Sequence, residues 1–188
     1  MDEQALLQAL RNNETRHKAF TLLVNQYSEK IYWVVRHIVG GHEDADDVVQ
    51  NTFVKLWNKM DDFRGDSKLS TWIHRVAVNE ALDFLRKEKK HKDNLADTTL
   101  DSNAVSGSIS SFNDAYFDGD EIDKLLREII DTLPDAQRTV FCMKYYDNMQ
   151  YKEISEILGT SEGGLKANYH HAVEKIKLNL SKRTTSIR

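Results

Sequence analysis

Gln150–Leu180 reads QYKEISEILGTSEGGLKANYHHAVEKIKLNL, and its spacing decides how the rest of the chain is understood. Ile154, Ile157 and Leu158 share one side of a first helix. Gly159 ends that helix, because glycine takes a left-handed backbone at little cost. Thr160 or Ser161 caps the next helix, and Glu162 lies in its first turn, where the helix dipole favours an acid. Leu165, Tyr169, Ala172, Val173, Ile176 and Leu180 follow at helical spacing and define a stripe that faces a core. At about 100° per residue, the opposite face takes Lys166, Ala167, His170, His171, Glu174 and Lys177. That face is polar and mostly basic. A helix, a tight corner and a second helix with a basic outer face make a helix-turn-helix, whose second helix suits the major groove of DNA. An ordinary helical hairpin with a solvated face has the same local spacing, so the remainder of the chain must decide between them.

The bulk composition narrows the choice. The chain has 188 residues, of which 40% are hydrophobic and 30% charged, and this suits soluble globular material. One proline, eight glycines and little strand-like alternation predict an all-α protein. Cys142, the lone cysteine, lies in the apolar run VFCMKYY and reads as a buried structural thiol. The N-terminus, MDEQALLQALRNNE, begins with acids and has only a short apolar stretch, unlike a signal peptide. With no apolar run of membrane-spanning length, a cytoplasmic protein is expected.

A net charge of −4 speaks weakly against nucleic acid, but the charge is unevenly distributed. Residues 82–92 carry five bases against two acids, and residues 161–188 carry six against two. Between them, residues 93–123 hold eight acids and no Lys or Arg. Two basic patches separated by an acidic connector are a footprint that the whole-chain charge conceals.

Taken in order, a short helix is expected over Glu3–Arg11 and a long one over Thr15–Val39, ended by Gly40-Gly41. A third runs from about Glu43 to Met60 with Ala45, Val48, Val49, Phe53, Leu56, Trp57 and Met60 on its apolar face. Glu43, Asp44, Asp46 and Asp47 crowd its start, more acids than the dipole requires, so a basic partner surface is expected there. After the loop Phe63–Lys68, a fourth helix capped by Ser67 is expected over Leu69–His91. Leu69, Ile73, Val76, Ala77, Glu80 and Phe84 line one side, all but Glu80 suited to a core, while Thr71, Arg75, Asn79 and Arg86 form a polar stripe. Residues 93–118 lack periodicity and are rich in Asp, Ser, Asn and Thr, the composition of a flexible linker. Helices from Asp120 to Thr132 and from Pro134 onward then join the opening hairpin in a four-helix unit.

Catalytic signatures are lacking. No phosphate-binding G-x-x-x-x-G-K-[ST], H-E-x-x-H or cysteine pair occurs, and the adjacent His170 and His171 make a poor chelate. Catalytic residues, metal and cofactors are therefore expected to be none.

DADDVVQNTFVKLW (Asp44–Trp57), FRGDSKLSTWIHRVAVNEALDFLRK (Phe63–Lys87) and LPDAQRTVFCMKYYDNMQYKEISEILGTSEGGLKANYHHAVEKIK (Leu133–Lys177), in that order, resemble the extracytoplasmic-function (ECF) group of RNA polymerase sigma factors. The resemblance covers nearly the whole chain. It implies a region 2 bundle over residues 1–92, a linker over 93–119, a region 4 helix-turn-helix over 120–182 and a tail over 183–188. Region 2 would bind core polymerase and melt the −10 promoter element, and region 4 would read the −35 element. By motif, Asp44, Asp46, Asp47, Gln50 and Asn51 would dock on polymerase. Phe63, Arg64, Ser67, Lys68, Trp72, Arg75, Asn79 and Arg86 would hold the opened −10 strand, with Trp72 alternatively a core residue. Gly163, Lys166, Ala167, His170, His171 and Lys177 would face the −35 duplex. The acidic linker would thread toward the RNA exit path. Many family members carry several arginines where this chain has Asn168, His171 and Val173, so its −35 preference is expected to differ. Core polymerase, promoter DNA and an anti-sigma factor, the last often membrane-bound, are the implied partners. A free-standing helix-turn-helix regulator would share the C-terminal features but leave Asp44–Lys92 without a purpose.

Overall fold

The computed structural model describes residues 3–98 and 121–185. These residues are helical throughout apart from short connections: α1 (Glu3–Arg11), α2 (Arg16–Val39), α3 (His42–Lys59), α4 (Leu69–Thr98), α5 (Glu121–Asp131), α6 (Asp135–Tyr145), α7 (Tyr151–Leu158) and α8 (Glu162–Thr185), with a single 3-10 turn at Met60–Asp62. The all-α expectation holds. α4 runs past the expected end at His91, because no glycine or proline interrupts the chain until Gly107 and solvated lysines do not break a helix. Residues 93–98, assigned to the linker by composition, are thus helical; residues 99–119 of that linker lie outside the described residues. The tail is likewise helical as far as Thr185.

In the N-terminal half, α2 packs on α1, α3 and α4, and α3 on α4. Leu23, Ile31, Val35, Ile38, Leu56 and Ile73 fill the space between them. Polar ties close its edges. Arg16 donates to both carboxylate oxygens of Asp61 at 3.0 Å and lies over the Trp57 ring. Lys55 pairs with Glu80, which explains an acid near the core side of α4. In the C-terminal half, α5, α6 and α7 surround α8. Ile129, Phe141, Cys142, Ala172 and Ile176 form a second cluster.

The halves are not separate bodies. α4 packs on α7 and α2 on α6. Val140, Met143, Ile154, Ile157 and Leu165 join the N-terminal residues in one continuous apolar cluster, each at most 6% exposed. A composition-based boundary locates a change of chain character; it does not say whether the flanking bundles touch.

Candidate nucleic-acid interface

The corner of the hairpin is built as its residues require. The backbone N–H of Gln150 donates to the Glu153 carboxylate at 2.8 Å, which fixes the start of α7. Gly159 ends it at φ +66°, a left-handed conformation that would strain a side-chain-bearing residue. Of the two expected caps for α8, Ser161 is used: its Oγ accepts from the Gly164 N–H at 3.3 Å.

On α8 the inner stripe is buried at Leu165, Ala172 and Ile176 and partly buried at Tyr169, Val173 and Leu180. Gly163, Lys166, Ala167, His170, His171 and Lys177 are all exposed. The two histidine rings stand 6.0 Å apart, offering separate hydrogen-bonding groups along the face. Lys166 reaches Glu162 at 3.7 Å and Lys177 reaches Glu174 at 3.4 Å. Solvated pairs of this kind contribute about 0–1 kcal/mol, so a phosphate can replace the carboxylate at small cost.

The loop before α4 is pinned at both ends by α1, a contact that sequence spacing does not reveal. Arg11 donates to the Phe63 carbonyl at 3.4 Å. The Glu3 carboxylate accepts from the Leu69 N–H at 2.6 Å and caps α4, a role expected of Ser67. Phe63 is buried and packs on Trp72, their ring centroids 5.2 Å apart. Phe63 therefore anchors the loop, and Trp72 is half-buried behind it, nearer to the core alternative than to a stacking platform. Arg64 and Lys68 are exposed and Ser67 is half-buried. Gly65, at φ +85°, turns the chain between them.

Along α4, Asn79 and Arg86 are exposed, with Arg86 paired to Asp83 at 2.6 Å. Arg75 donates to the Glu156 carbonyl at the end of α7. Arg86 also lines a cleft of about 290 Å³ with Leu82, Thr139, Leu158, Leu165 and Asn168. The C-terminal half thus borders the α4 stripe, whose Arg75, Asn79 and Arg86 all remain exposed. On the side of α4 near Ser70, burial holds the His74 imidazole below its usual pKa, while its Nδ1 lies 2.7 Å from the Ser70 carbonyl.

On α3, Asp46, Asp47, Gln50 and Asn51 are exposed and Asp44 is half-buried. Val54, 60% exposed, continues this row. Sequence reasoning passed over it because it falls off the apolar stripe of α3; an apolar residue placed there is itself the signal.

Comparison with known proteins matches these two halves to two families in sequence: Sigma-70 region 2 over residues 23–91, and Sigma-70, region 4 over residues 123–176. The ECF RNA polymerase sigma factor SigW of Bacillus subtilis (strain 168) is 30% identical over 172 residues, covering 86% of this chain and 89% of that protein. The chain belongs to the ECF RNA polymerase sigma factors. The ECF sigma-E factor of Escherichia coli (strain K12) is 29% identical over 182 residues, 94% of this chain and 93% of its own. Two solved structures share the fold at a TM-score of 0.65: CnrH in complex with the cytosolic domain of CnrY, at 23% identity over 96% of this chain and 97% of that one, and RpoE with the anti-sigma factor NepR from Bartonella quintana, at 21% over 87% and 98%. This sigma factor is accordingly a promoter-specificity factor in transcription initiation. No helix among its described residues is long and apolar enough to cross a membrane.

Proposed function

We propose a division of labour within this sigma factor. The exposed face of α8 reads the −35 duplex: Lys166 and Lys177 contact phosphates, Gly163 and Ala167 allow close approach, and His170 and His171 meet base edges in the major groove. The loop at 63–68 and the α4 stripe hold the opened −10 strand, with Arg64, Ser67 and Lys68 at the loop surface and Arg75, Asn79 and Arg86 along the backbone. Phe63 and Trp72 support the loop from below. Unstacking a base costs a few kcal/mol, and a pinned loop offsets more of that cost than a floppy one. Asp44, Asp46, Asp47, Gln50 and Asn51 dock on core polymerase, and Val54 adds an apolar contact to their row. The chain carries no catalytic centre of its own and works in the cytoplasm. An anti-sigma factor is the partner that restrains it, as NepR is the partner of the solved RpoE.

The observation that carries this reading is the pairing, in one chain, of a helix face suited to duplex with a pinned loop beside a basic helix suited to a single strand. In vitro transcription with core polymerase and a genomic promoter library tests it. Sigma-dependent transcripts sharing −35 and −10 sequences are expected. DNA binding without polymerase association would overturn the reading and leave a free-standing regulator.

A further inference from the structure

The N-terminal helix is tied to one place in particular. α1 turns Leu6 and Leu10 into the core, each 1% exposed. The Thr15 hydroxyl donates back to the Ala9 carbonyl at 2.8 Å and fixes α1 against the start of α2. From this base three side chains reach the segment that joins α3 to α4. Glu3 accepts from the Leu69 N–H at 2.6 Å, and Arg11 donates to the Phe63 carbonyl at 3.4 Å. Arg16 donates to the Trp57 carbonyl at 3.2 Å as well as to Asp61, in the 3-10 turn that leads into Phe63. Between these ties the loop is open. Arg64, Gly65, Asp66 and Lys68 are exposed, and a Cβ on Gly65 would meet nothing within 4 Å.

We propose that Glu3 and Arg11 are positioning residues for −10 opening: they hold the two ends of the 63–69 loop at a fixed separation, so that α1 sets how well the loop selects an unstacked base without itself touching DNA. This rests on the strand-binding role proposed above for the loop.

A loop held at both ends has less conformational freedom to lose when it closes on a base. Both ties are made to backbone groups, so they fix the path of the chain and leave Arg64, Ser67 and Lys68 for the strand. The tie at Leu69 does more. The first N–H groups of a helix have no partner within it, and a carboxylate there also meets the positive end of the helix dipole. Without Glu3 the start of α4 frays and the loop lengthens into it. The groups assigned to the strand backbone, Arg75, Asn79 and Arg86, lie further along α4, beyond the reach of the ties. Base selection and backbone grip are thus separable, and α1 acts on the first alone.

The test uses the full-length chain in holoenzyme with core polymerase. Glu3→Ala and Arg11→Ala remove the ties, while Glu3→Gln keeps an acceptor oxygen for the Leu69 N–H. Chemical denaturation checks that each variant folds; Glu3→Asp, too short to reach, or Arg11→Met replaces an Ala variant that does not. Three probes come from a promoter that the wild-type holoenzyme transcribes: a fork junction with a single-stranded non-template −10 segment, the same fork with that segment abasic, and the closed −35 duplex. If the ordered loop is populated about one-tenth of the time without its ties, apparent affinity falls about 10-fold. The Ala variants are expected to show that loss on the intact fork and no change on the other two probes. Glu3→Gln should bind all three like wild type. Equal losses on all three probes, or wild-type affinity for the intact fork, would overturn the positioning role. Arg64→Ala and Lys68→Ala, in the loop itself, separate this outcome from failure of the reading beneath it. If they leave the intact fork unaffected, the loop does not hold the strand and both proposals fall. If they weaken it while the variants at positions 3 and 11 do not, only the positioning role falls.

Discussion

The two faces proposed to bind DNA are built differently. The row of α8 proposed to face duplex lies open to solvent, its lysines paired with acids on the same helix and Lys166 also lying over the Tyr151 ring of α7. The stripe of α4 proposed for the strand is exposed too, but it is tied to the rest of the fold: Phe63 anchors the loop before it, Arg75 donates to the end of α7, and Arg86 borders a cleft between the halves. A closed duplex exists before the protein arrives and can be met by a ready surface. An opened strand exists only after work has been done, and the surface proposed for it is one held in place by contacts from elsewhere in the chain.

The largest expected effect tests the α4 side. Phe63→Ala removes a buried aromatic that supports both the loop and Trp72. A loss of about 3–5 kcal/mol is expected, measured by chemical denaturation; a loss below about 1 kcal/mol would mean that the loop is not anchored there. On the α8 side, Gly159→Ala forces a side chain into the left-handed corner at φ +66°. It should cost about 1–2 kcal/mol and weaken duplex binding, while wild-type stability would mean that the corner relaxes freely.

Two smaller effects sharpen the contrast. Lys166→Ala should weaken binding to every −35 variant alike and lower the salt slope by about one. Substituting His170 or His171 should change the order of preference among −35 sequences, and equal losses on all of them would exclude base reading by the histidines. His74 supplies a pH dependence, its burial outweighing Asp147 and Glu153 of the C-terminal half, which act the other way. Its folded-state pKa is lowered by burial, so the unfolded chain takes up the proton first as pH falls. Stability from this group is complete above the unfolded value, near 6.5, and is lost as pH drops toward the folded value. His74→Gln should flatten that part of a stability–pH curve.

Most of the helices were legible in the sequence because periodicity is local, and a core face repeats within a few residues. The end of α4 was not, since a solvated basic run looks the same at the end of a helix as within it. Phe63 was read as a base-contacting residue from the motif around it, although an isolated aromatic in a polar loop gains most by burial. Leu165 was assigned to a core, but which core depends on contacts with the other half. The ties from Glu3 to Leu69 and from His37 to Asp147 join residues far apart in the chain, and no spacing rule reaches them.

Cys142 offers a way to time the molecule. It is the only thiol in the chain, wholly buried, and hydrogen-bonded to the other half through its sulfur. Burial also holds its pKa far above that of a free thiol, so reagents find it neither accessible nor ionised. Any alkylation of the native protein must therefore wait for the seam to part, and the labelling rate at that one sulfur becomes a clock for excursions that a static picture leaves unseen.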